Sequence, residues 1–166
     1  MPSLTNFCTW LGDTPVSHLF QEVLWIVPAA QSIHILAIAI AMSALLMIHL
    51  RSIGVLARDQ TRVDIADRFL PALWLALPVL LATGAVLIIA EPARSLRNPA
   101  FYWKMGLLLT GIVITLAYAR PLRRDPSWWD DLARRRQLST GIAIASLIIW
   151  VAIVFCGRWI AYVEPF

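Results

Sequence analysis

Lysine occurs once in this sequence, at Lys104, and cysteine twice, at Cys8 and Cys156; charged residues make up only 14% of the chain. Asp and Glu are absent from every long apolar run. Each shortage excludes something. Water-soluble domains hold about a quarter charged residues, so a soluble domain is excluded. With no carboxylate among the apolar runs there is no relay to couple protons or cations, which argues against a secondary transporter or pump. Two cysteines do not make a disulfide framework. No nucleotide-binding glycine loop, Gly-x-Ser-x-Gly elbow or His-Glu-x-x-His zinc site is present.

What the chain has in abundance is apolar surface. Sixty per cent of its 166 residues are hydrophobic, mean hydropathy is +0.73, and there are eight Trp. This composition is that of an integral membrane protein with a single domain over residues 1–166. A hydrocarbon core ~30 Å thick needs about 20 apolar residues in a helix. Four segments meet that length: roughly Val23–Leu50, Phe69–Ala90, Phe101–Ala119 and Leu138–Cys156. The expected fold is all-α, a transmembrane four-helix bundle. Before the first span, "SLTNFCTWLGDTPVSHLFQ" is amphipathic with a Gly-Asp-Thr-Pro break, and is expected to lie on the outer face as one or two short helices. The N-terminus lacks a basic start and a small-residue cleavage site, so span one is expected to act as an uncleaved insertion signal. Pro28, Pro71 and Pro78 predict local kinks rather than broken helices.

Basic residues set the expected orientation. Arg51, Arg58, Arg62 and Arg68 fall in the first loop, and Arg120, Arg123, Arg124, Arg134, Arg135 and Arg136 in the third. Arg94, Arg97, Lys104 and Arg158 fall on the opposite side. The positive-inside rule therefore predicts a multi-pass protein of a bacterial inner membrane with both termini periplasmic. The net charge of +4 resides in these clusters, which flank spans and do not form a nucleic-acid patch. Trp25, Trp103 and Trp159 are expected at the outer interface, and Trp128 with Trp129 at the inner one. The Asp residues mixed among the loop arginines read as solvated helix ends.

Two histidines stand in span one. His34 lies about nine residues from Trp25, hence ~13 Å below the outer interface. Ala30, Ala37 and Ala41 share its side of the helix, a strip of small residues that admits either a close neighbouring helix or the flat face of a macrocycle. Neutral imidazole ligates haem iron without bringing a charge into the membrane, so His34 is a candidate metal ligand; the other reading is a histidine hydrogen-bonded between helices. His49, ~22 Å further along and beside Arg51, reads as an interfacial residue. Spans two to four contain no partner histidine; only a symmetric dimer would supply bis-histidine sites. Lys104 either snorkels to the headgroups or turns inward to pair with an anionic group such as a haem propionate. Met105 is a candidate second axial ligand. Cys8 and Cys156, both on the outer side, are permitted a disulfide, and with His18 a copper or zinc site, though unlinked thiols are the default.

Three stretches carry a resemblance: "WIVPAAQSIHILAIAIAMSALLMIHLRSIG", the Thr-Gly of span two followed by "EPARSLRNPAFYWKMGLLL", and "TWLGDTPVSHLFQEVLW". In that order the chain resembles an uncharacterised bacterial family of small four-helix integral membrane proteins. More distantly, a span-one histidine, an arginine at its inner end and a lysine opening span three are similar to haem-binding protoporphyrinogen oxidases and copper-resistance D membrane domains. His34, Arg51 and Lys104 hold those places. The resemblance implies haem b near His34, while the other intramembrane polar residues of those relatives are missing here. The expectation is a redox-type membrane protein exchanging electrons with quinone or a membrane partner. The alternatives are a non-enzymatic subunit or scaffold of a larger complex, or homo-oligomer, and copper handling at the outer face.

Overall fold

A computed structural model describes residues 2–125, 127–160 and 162, and every regular element among them is helical. Helices α1 (Pro2–Gly12) and α2 (Pro15–Glu22) precede the long helices α3 (Ile26–Ile53) and α4 (Arg62–Ala90). A short α5 (Pro92–Leu96) leads into α6 (Pro99–Arg124) and α7 (Ala133–Trp159). Helices α3, α4, α6 and α7 are each long and apolar enough to cross a membrane. The protein is thus a multi-pass membrane-type helical bundle, as its hydropathy predicts.

Helices α4, α6 and α7 outrun the apolar segments, most of all at the start of α4, which begins at Arg62 rather than Phe69, while α3 is shifted three residues toward the C-terminus. Hydropathy marks where lipid begins, but a helix begins where its first N–H groups find acceptors. Thr61 supplies that acceptor: its Oγ1 accepts from Asp64 N while the Asp64 carboxylate accepts from Thr61 N, a complete capping box. Asn98 does the same for α6, accepting from the Ala100 N–H at 2.9 Å. At the far end of α3, Gly54 takes φ +85° and reverses the chain, and its N–H and that of Val55 both reach the Leu50 carbonyl. Pro71 and Pro78 lie inside an unbroken α4.

Helix α3 packs along α4 and also against α7, and α7 packs along α6; α4 and α6 meet only briefly. The order around the bundle is therefore α4, α3, α7, α6. The core runs down the α3 side through Ala41, Ala44, Leu45 and Ile48, meeting Leu70 and Leu73 of α4 and Trp150 of α7. Trp150 fits because α6 has no side chain opposite it: a Cβ on Gly111 would come within 3.2 Å of the indole. The outer flanks are large and apolar, with Ile35, Leu36, Leu75, Leu81, Leu109, Ile148 and Phe155 all exposed. In water such a surface would aggregate; against acyl chains it is solvated.

The N-terminal helices close one end of the bundle. The last carbonyls of a helix have no partner within it. Here Ser17 Oγ donates to the Ile89 carbonyl at 2.7 Å and Gln21 Nε2 to the Ala90 carbonyl at 2.9 Å, so α2 caps the C-terminus of α4. Cys8 of α1 reaches the Pro92 carbonyl. We call this the terminal end, and the opposite one the arginine-rich end.

Candidate functional site

His34 sits in the half of the bundle nearer the terminal end. Its Nδ1 lies 2.7 Å from Thr83 Oγ1 of α4. The Thr83 hydroxyl donates to the Val79 carbonyl at 2.7 Å, so its single proton is committed. Thr83 therefore accepts, and the imidazole donates through Nδ1–H. With the hydroxyl proton placed on Val79, Nδ1–H is the donor to Thr83 and Nε2 is the ring nitrogen left to accept or ligate. Gly84 lets α4 come close: a Cβ there would stand 3.7 Å from His34 Cε1.

Lys104 of α6 turns inward. Its stem lies across Gly157 of α7, where a Cβ would meet Nζ at 3.4 Å. The small-residue strip beside His34 is taken up by helix packing, since Ala37 and Ala41 are buried.

The other residues singled out by sequence lie elsewhere. Met105 is one residue, and so about 100°, beyond Lys104, and is 41% exposed on the flank of α6. Arg51 is seventeen residues from His34 on the same helix, ~25 Å away, where its Nε donates to the Gln60 carbonyl at 2.7 Å and closes the α3–α4 turn. Cys8 and Cys156 are both free thiols. Among the described residues no three His, Cys, Asp or Glu side chains gather into a metal-sized group, so Cys8, His18 and Cys156 do not converge.

A second polar cluster, at the arginine-rich end, was not foreseen. His49 is not open to water or lipid; it is 1% exposed, and neither ring nitrogen has a partner. Beside it Tyr118 of α6 hydrogen-bonds Ser52, whose hydroxyl also reaches the Ile48 carbonyl. Arg62 is buried, donating through Nη1 to Ser139 Oγ at 2.6 Å and through Nη2 to the Ser52 carbonyl at 3.4 Å. Asp130 approaches Nη2 at 3.4 Å, while Nε has no partner. Trp129 is buried and stacked on Tyr118, whereas Trp128 stays exposed under the Arg135 guanidinium. The one sequence signal for this cluster was Tyr118, a phenol within the span-three run.

A family model, "Family of unknown function (DUF6644)", matches residues 15–163. The chain belongs to that family. The DUF6644 match starts at the first residue of α2 and takes in all four long helices, leaving α1 outside. No curated protein and no solved structure matches. The resemblance to a small uncharacterised membrane family is thus established as DUF6644 membership, and function rests on geometry.

Proposed function

We propose that this protein is a membrane redox protein holding haem b in the half of the bundle nearer the terminal end, with His34 as axial ligand. The observation that carries the reading is the fixed imidazole: Thr83 takes Nδ1–H and leaves Nε2 as a ready donor. A histidine ligand held through its other nitrogen is the usual arrangement at protein metal centres. Lys104 supports the same reading, because a cation turned inward at the depth of His34 suits the carboxylate edge of a porphyrin. The haem, when bound, supplies one-electron exchange at its iron. The chain's part is to orient the imidazole, pair the carboxylate edge and keep water away; quinone or a membrane partner is the proposed electron partner. Met105, exposed on the flank, and Arg51, at the other end, fall outside this site, so one protein ligand is assigned.

The His34–Thr83 bond also favours a second reading, in which it clasps α3 to α4 in a non-enzymatic subunit of a larger complex. The absorption spectrum of protein purified in detergent separates the two. A Soret band with α and β bands on reduction is expected, lost in His34→Ala and retained in His49→Ala. Lys104→Met should weaken haem retention or shift its potential without removing the ligand. A protein that stays colourless after haem is supplied would leave His34 as a helix clasp.

A further inference from the structure

At the arginine-rich end, two adjacent residues of the α6–α7 connection fill the mouth of the polar cluster. Trp129 stacks on Tyr118 with ring centroids 5.6 Å apart and planes 8° from parallel, and its Nε1–H donates to the Tyr118 carbonyl at 3.2 Å. The next side chain, Asp130, offers its carboxylate to Arg62. Together they present a flat aromatic ring beside a carboxylate.

The fit is incomplete on the protein side. Asp130 reaches only Nη2 of Arg62, at 3.4 Å, and is 51% exposed. Arg62 Nε, buried, has no partner, and neither has either nitrogen of His49, whose ring stands edge-on to Tyr118 at 5.9 Å. A guanidinium is built to hold a carboxylate through two parallel N–H groups, and such a bidentate pair is stronger than a single long contact. A half-exposed ion pair is weak. Asp130 also lines an open surface cleft with Ala133, Arg136, Gln137 and Thr140, so its carboxylate is in contact with the outside.

We propose that this end of the bundle is a binding site for a small planar aromatic carboxylate, and that Trp129 and Asp130 occupy it in the closed state. The ligand's ring replaces the indole on Tyr118, its carboxylate engages Nε and Nη2 of Arg62, and His49 meets a polar substituent on the ring. This site is separate from that of His34 and does not rest on the haem reading.

The test uses the full chain in detergent, with indole-3-acetate as probe and acetate and indole as controls. A site that needs both ring and charge predicts a saturable rise in thermal midpoint with indole-3-acetate alone. Asp130→Asn weakens the closed state and should tighten the apparent affinity, by up to about tenfold if the open form was a tenth populated. Arg62→Lys keeps the charge but loses the fork and should lose binding; its helical circular dichroism is checked first. His49→Leu, which leaves Arg62 in place, reads the site without disturbing the ion pair and should weaken probes carrying a ring hydroxyl. Equal shifts from indole and indole-3-acetate would mean partition into apolar surface and would overturn the proposal. So would an Asp130→Asn protein that binds no indole-3-acetate.

Discussion

The imidazole of His49 stands edge-on to the phenol of Tyr118, centroids 5.9 Å apart and planes at 72°, inside the protein with both nitrogens unpaired. A buried polar group without a partner costs roughly 1–3 kcal/mol. His49→Leu, close in volume, should therefore leave stability unchanged or raise it in the absence of ligand. Thermal unfolding in detergent measures this. A loss above about 2 kcal/mol would show that the imidazole is satisfied in the folded protein, by water or by a bound molecule.

Gly111 meets Trp150 where a Cβ would stand 3.2 Å from the indole ring. Gly111→Ala forces the ring to give by a few tenths of an ångström; Gly111→Leu cannot be accommodated without separating α6 from α7. Overpacking of this kind costs typically about 1–3 kcal/mol. The expected order of thermal midpoints is wild type, then Gly111→Ala, then Gly111→Leu. A Gly111→Leu protein as stable as wild type would contradict this packing.

Ser17 is completely buried and donates to the Ile89 carbonyl. Ser17→Ala leaves that carbonyl without its side-chain partner, at about 1–3 kcal/mol. Hydrogen exchange should show α1 and α2 opening more readily, with α3 and α7 unchanged. Unaltered protection in α1 and α2 would count against the cap.

Orientation follows from the arginines. A reporter inserted near Gln60 should behave as cytoplasmic and one fused after the last residue as periplasmic. The reverse pair of results would invert the bundle.

Hydropathy located all four spans, because lipid imposes a length on any helix that crosses it. It missed the first turns of α4, since Thr61 and Asp64 decide where that helix starts and neither is apolar. The place of His34 along α3 was legible for a related reason: it could be counted from Trp25 along a single helix. Its hydrogen-bond partner was not, because Thr83 lies forty-nine residues away. His49 was misread because its neighbour Arg51 suggested water nearby. In the folded chain Arg51 turns to the Gln60 carbonyl, and Tyr118 and Trp129 close over the space that the interface was expected to occupy. Burial of this kind is made by three separate segments, and no local pattern encodes it.

The cap that α2 places on α4 carries an implication for biogenesis. Ser17 and Gln21 bond the Ile89 and Ala90 carbonyls, and Cys8 reaches Pro92, so these three acceptors are made about seventy or more residues later. Residues that leave the ribosome ahead of span one can touch α3 early, but they lack these acceptors until the end of span two has been made. Up to that moment they depend on the lipid surface or on an insertion factor for shelter. A chain stalled before Ile89 should then expose α1 and α2 to protease, and one released after Pro92 should hide them.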